Sequence, residues 1–131
     1  MNFFEKIVSS FLLAVFLLPA NAAEEDKGKK SPFENIAYIV TNLQGDTNKY
    51  IQVEMSLKIA KPEDAEKIKT FMPVIRDQMI LLLSSKSPEQ LGSTAGKIEL
   101  VKESKDAINK ALNLTDKDGV SEVLFTSFII Q

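Results

Sequence analysis

The sequence contains no cysteine and no histidine, and it has a single arginine, Arg76. Without thiolates and imidazoles the chain lacks the ligands that most zinc, haem, copper and iron–sulfur sites use. It also lacks the commonest general base and the most reactive nucleophile of enzymes. We therefore expect a protein that is not an enzyme, with no catalytic residue, no cofactor and no metal site.

Positive charge is supplied almost entirely by lysine and is mixed with acidic residues along the chain. The 16 basic residues are outnumbered by 18 acidic ones, which gives a formal net charge of -2. A nucleic-acid-binding domain needs a basic patch to meet the phosphates, so nucleic acid is not expected as a partner. The length of 131 residues, with 44% of them hydrophobic, suits one compact domain.

An apolar stretch near the amino terminus predicts export. Residues 7–18 are apolar apart from two serines, Lys6 precedes them, and Ala20-Asn21-Ala22 follows. This layout is typical of a signal peptide cleaved between Ala22 and Ala23. The alternative is a retained anchor, although crossing the hydrocarbon core takes about 20 apolar residues. In both cases the rest of the chain is expected on the outer side of the membrane.

These signals divide the chain into three parts. Residues 1–22 are interpreted as the signal peptide or short membrane anchor, and residues 23–31 as a polar tether, because they are rich in lysine and contain a glycine. Residues 32–131 are left as the folded domain.

Three segments of this domain predict β-strands. Phe33 to Leu43 is rich in β-branched and aromatic residues, and Ile51 to Ile59 alternates apolar with polar residues. Val120 to Gln131 is apolar on both faces, which predicts a strand in the centre of the sheet. Strict alternation divides its large side chains into two sets: Val123, Phe125 and Ile129 on one face, Leu124, Phe128 and Ile130 on the other.

Helical periodicity fills the region between the second and third strands. A helix begins at Pro62 and places six apolar residues toward the sheet: Ala65, Ile68, Met72, Ile75, Met79 and Leu82. Pro73 predicts a bend near Met72. The run Ser87-Pro88-Glu89-Gln90 predicts a capped single turn.

A further helix is predicted from a cap at Ser93 to about Leu112. Its inward residues are expected to be Ile98, Val101, Ile108 and Leu112. The predicted fold class is therefore α+β, in the order strand, strand, helix, short helix, helix, strand.

The long helix carries apolar residues that its sheet-facing side does not need. Val74 and Leu81 lie well away from the predicted core face. They are either covered by the tether or by the loop from Ser84 to Gly92, or they form an exposed patch for self-association. Between them, Arg76 either pairs with its neighbour Asp77 or contacts a partner, since a guanidinium suits recognition at interfaces.

Several stretches of the chain resemble one known family. They are Met72-Pro73-Val74-Ile75-Arg76-Asp77, Leu81-Leu82-Leu83-Ser84-Ser85-Lys86, Gly96-Lys97, Ala107-Ile108-Asn109 and Val123 to Gln131. Together they resemble the flagellar basal-body-associated FliL family, over Phe33 to Gln131.

This resemblance implies a periplasmic domain with an SPFH or stomatin-like fold, located at the flagellar basal body near the inner membrane. It implies binding to the stator proteins of the motor, assembly into a homo-oligomeric ring, and a role in flagellar rotation, chemotaxis and motility. The alternative is a periplasmic SPFH-like scaffold or ligand-binding module unrelated to motility.

Overall fold

Three antiparallel strands form one sheet, on one face of which the helices pack. The computed structural model describes residues 31–45 and 48–131. Strands β1 (Phe33–Asn42), β2 (Tyr50–Ile59) and β3 (Val120–Ile130) are arranged in the order β1-β2-β3. This confirms the α+β class. The prediction of a central third strand is wrong, because β2 lies between the other two.

A bulge in β3 explains why its apolar pattern was misread. Glu54 pairs with Ser127 and Met55 pairs with Phe125, so Thr126 is an extra residue with no pairing partner on β2. The extra residue shifts the alternation by one position. Phe125, Phe128 and Ile130 consequently pack on the core, whereas Leu124 and Ile129 are exposed on the other face. The strand is covered on one face only.

β1 carries a second bulge at the same level of the sheet. Ile36 pairs with Met55 and Ile39 with Val53, so two residues, Ala37 and Tyr38, occupy the place of one. Both isoleucines are buried as a result. In β2, the five apolar residues of the predicted alternation are all buried: Ile51, Val53, Met55, Leu57 and Ile59.

The helical segment contains four helices, preceded by a 3-10 turn at Pro62–Asp64. They are α1 (Ala65–Thr70), α2 (Met72–Ser84), α3 (Pro88–Gly92) and α4 (Thr94–Leu112). The predicted bend near Met72 is a break between α1 and α2 at Phe71, with Pro73 in the first turn of α2. A proline there loses no hydrogen bond, because the first amides of a helix have no intrahelical acceptor.

Side-chain caps fix the beginnings of α3 and α4 as the sequence predicts. The Ser87 hydroxyl accepts from the Gln90 amide at 3.2 Å, and the Gln90 side chain accepts from the Ser87 amide at 2.9 Å. Ser93 accepts from the Gly96 amide at 3.0 Å. Position 96 must be glycine, since a Cβ atom there would collide with the carbonyl of Gln90.

The inward face of α4 was predicted only in part. Ile108 and Leu112 are buried, but Ile98 is 67% exposed and Leu100 is buried in its place. The two positions are about 200° apart around the helix. The true face includes Ser104, whose hydroxyl donates to the Leu100 carbonyl at 2.6 Å. A polar residue within the buried stripe concealed the correct periodicity.

Candidate interaction surfaces

The outer side of α2 presents two of the predicted residues to solvent. Val74 is 38% exposed and Leu81 is 57% exposed. Asp77 lies between them in sequence and is also exposed. The loop from Ser84 to Gly92 therefore does not bury this side of the helix. Core packing of α2 uses other residues, namely Ile75, Met79 and Leu83.

Arg76 has a structural task that neither of its sequence interpretations included. Its Nη1 donates to the Ala37 carbonyl at 2.6 Å, and its Nη2 donates to the Tyr38 carbonyl at 2.9 Å. Among the described residues it forms no ion pair with Asp77. The bulge in β1 offers two carbonyls in succession, which suit the planar guanidinium fork. Nothing in the local sequence signals this bulge, and so the contact could not be predicted.

The face of the sheet opposite the helices is open. A hollow of ≈330 Å³ lies on this face beside Glu54 of β2, between the bulge of β1 and the bulge at Thr126 of β3. It is lined by Asn35, Ile36, Ala37, Glu54, Met55 and Thr126. Beside it, Ser56 donates to the Asn35 side chain at 2.9 Å. Exposed apolar residues on this face include Leu124 and Ile129.

A buried asparagine holds the beginning of β3. Asn109 Nδ2 donates to the Val120 carbonyl at 2.9 Å, and Asn109 Oδ1 accepts from the Val120 amide at 2.8 Å. The side chain thus satisfies both backbone groups, as a neighbouring strand would. Gly119 leaves room for it, because a Cβ atom there would collide with Asn109 Oδ1.

The acidic turn before β3 is held by its own hydrogen bonds. The Thr115 amide and hydroxyl both donate to Asp118 Oδ1, at 2.5 Å and 2.8 Å. The Thr115 amide is the main reason that the pKa of Asp118 lies below its usual value, followed by the Thr115 hydroxyl. Residues 31–45 and 48–131 contain no group of three or more acidic side chains placed to hold a metal ion.

The predicted export segment lies outside the described residues, and so do Ala22 and Ala23 at its cleavage site. In the described part of the chain, no helix combines the length and the apolar character needed to cross a membrane.

The geometry defines an α+β domain in which a helix face, an open sheet face and an edge strand are available for contact. Comparison with known proteins gives its family. A model described as "Flagellar basal body-associated protein FliL" matches residues 33–131, the whole of the sheet and its helices. The chain belongs to the FliL family of flagellar basal body-associated proteins.

Curated relatives agree with this assignment. The flagellar protein FliL of Aquifex aeolicus is 30% identical over 94 residues, which cover 72% of this chain and 56% of the relative. The flagellar protein LafL of Vibrio parahaemolyticus is 24% identical over 110 residues, 82% of this chain and 66% of the relative. FliL of Escherichia coli K12 is 25% identical over 88 residues, 66% and 57% of the two chains. The chain thus spans little more than half to about two thirds of these relatives.

Proposed function

We propose that this chain is a non-enzymatic accessory protein of the flagellar basal body, which binds the stator of the motor and modulates rotation. The observation that carries the proposal is the family match over residues 33–131, because it covers every strand and helix of the domain. The available surfaces fit a protein that acts by contact. Exposed apolar side chains on α2, such as Val74 and Leu81, are the kind that partner surfaces bury.

The proposal places the domain in the periplasm, close to the inner membrane. Support comes from the sequence of residues 1–22, with cleavage between Ala22 and Ala23 or retention as a short anchor. Residues 23–31 would then tether the domain. N-terminal mass analysis of the exported protein distinguishes the two forms, because only cleavage gives a chain that begins at Ala23.

We further propose that the domain is SPFH-like and that copies assemble into a ring around the stator. The surface offered for this assembly is the outer side of α2, with Val74, Arg76, Asp77 and Leu81. Val74 and Leu81 would supply apolar contact and Asp77 a charge. Arg76 would act mainly by fixing β1 against α2, since both of its terminal nitrogens are engaged there.

Stator binding is tested by co-purification. The full chain carries a tag in its native host, the membrane fraction is solubilised, and bound proteins are identified by mass spectrometry. Recovery of the stator with the wild-type chain, and its loss with a Val74→Asp/Leu81→Asp variant that is equally abundant, would support both partner and surface. Recovery of the stator with both the wild type and the variant would support the stator as partner but would show that the binding surface is not the outer side of α2.

A gene deletion tests the role in motility. A strain without the chain should still assemble filaments but swim or swarm less well, because the proposed role is to tune the motor. Normal swimming and swarming, together with no stator in the purification, would favour a scaffold or ligand-binding module that is unrelated to motility.

A further inference from the structure

The outer edge of β3 has backbone groups that point away from the sheet. Tyr50 and Gln131 exchange two hydrogen bonds, at 2.8 Å and 3.0 Å, so both face each other across the β2–β3 ladder. In an antiparallel pair such residues alternate with residues whose N–H and C=O point outward. The observed register has one shift at Thr126 and another at Ser121, between the pairs Lys58–Glu122 and Ile59–Val120. Following it back across both shifts gives the outward positions: Val120, Val123, Phe125, Phe128 and Ile130.

Only the first of these positions is covered. Both backbone groups of Val120 bond to Asn109. The backbone groups of residues 121–130 form no hydrogen bond outside the sheet with any other described residue. The opposite edge of the sheet differs, because the Ala37 and Tyr38 carbonyls there are occupied by Arg76. An edge strand with unpaired backbone groups and a single charged residue, Glu122, is a template for another strand.

The spacing of the open positions is unusual and symmetrical. Val123 and Phe125 are two residues apart, as are Phe128 and Ile130, but the bulge separates the two pairs by three residues. An ordinary strand offers bonding groups every second residue, so it would match one pair and lose register with the other. A second β3 running in the opposite direction has the same interruption at its centre and matches all four positions.

We propose that β3 pairs antiparallel with β3 of a second copy, about a two-fold axis between Thr126 and Ser127. Val123 then lies opposite Ile130 of the second copy, and Phe125 lies opposite Phe128. Contacts between large apolar side chains across strands stabilise such a pairing.

The open sheet face obeys the same symmetry. Leu124 lies opposite Ile129 of the second copy, so two exposed side chains cover each other. The only charged side chain of β3 is that of Glu122, and it lies opposite the uncharged side chain of Gln131. Since the contact uses the same strand twice, it closes after two copies and builds no fibre.

The pairing is separate from the α2 surface and does not depend on the flagellar role. Its test uses the absence of cysteine from the sequence, because each introduced thiol is then unique. The full chain is produced as Leu124→Cys with one tag and as Ile129→Cys with another, and the two are mixed and oxidised. Directly opposed strand residues have the separation that a disulfide requires.

The mixture should give a disulfide-linked species of twice the chain mass that contains both tags. Each variant alone is the matched control: Leu124 and its own counterpart are five residues apart along the strand, about 16 Å, so neither should cross-link to itself. A mixture without the linked species would overturn the pairing, and so would equal linking in the single-variant samples. Adding Val74→Asp/Leu81→Asp should leave the cross-link unchanged, and its loss would assign the contact to α2 instead.

Discussion

Asn109→Asp isolates one half of the contact that holds the beginning of β3. The change keeps the oxygen that accepts from the Val120 amide at 2.8 Å, and it removes the nitrogen that donates to the Val120 carbonyl at 2.9 Å. Asn109 is only 6% exposed, so water has little access to replace the lost donor. A carboxylate oxygen would face the carbonyl in its place.

Leaving a buried acceptor without a donor costs about 1–3 kcal/mol. In a domain of this size each 1 kcal/mol lowers Tm by about 4–8 °C, so the expected decrease is roughly 4–24 °C. The matched control is Asn48→Asp, an exposed position before β2, which should change the free energy of unfolding by less than about 0.5 kcal/mol. Thermal melts of both variants and of the wild type provide the comparison.

The dependence on pH supplies a second check. A protonated carboxyl group can again donate to Val120, so its folded-state pKa is raised above the unfolded value. Its stabilisation is present at low pH and is lost as the pH rises through the folded pKa. The gap in Tm between Asn109→Asp and the wild type should therefore narrow on acidification. A gap that is constant with pH, or equal melts for the two Asn→Asp variants, would refute the argument.

Three further outcomes are expected from changes elsewhere. Val74→Asp/Leu81→Asp should abolish larger oligomers in light scattering with little change in Tm. Met79→Asp should instead unfold the domain, because it buries an unpaired charge. Equal Tm values for the two variants would show that Val74 and Leu81 belong to the core. Arg76→Lys should keep the charge but lose the fork, lowering the free energy of unfolding by about 1 kcal/mol and speeding amide exchange at the β1 bulge. Asp118→Asn should make the free energy of unfolding less sensitive to acid. The pKa of Asp118 is lower in the folded than in the unfolded chain, so its carboxylate stabilises the fold above the unfolded pKa, and this stabilisation is lost as the pH falls through the folded pKa. An unchanged pH dependence of urea denaturation would contradict this.

Features encoded by neighbouring residues could be predicted from the sequence. The alternation of β2 and the caps at Ser87 and Ser93 depend on contacts within a few residues, and all appear as expected. The order of strands along the chain and the division of the helical region follow from the same local signals.

Features set by distant parts of the chain could not. The bulge at Thr126 exists only relative to β2, and it moved Phe128 to the core face. Arg76 finds acceptors that lie 38 and 39 residues away. Ser104 can occupy a core position because its hydroxyl donates a hydrogen bond to a carbonyl of its own helix. A serine adds nothing to the apolar periodicity, so the sequence does not show that this position is buried. The position of β2 in the centre likewise depends on where the chain returns after α4.

The direction of the strands sets a distance between two ends of the domain. β1 and β3 run the same way on either side of β2, so Phe33 and Gln131 lie at opposite ends of the sheet. Ten residues of β1 correspond to about 33 Å. The far end also includes Lys86, whose carbonyl accepts from the Gln44 amide at 2.9 Å. If the chain is attached to another structure just before Phe33, and a partner binds beside Gln131, the sheet separates the attachment point from the partner by about its own length. The domain then acts as a spacer between them.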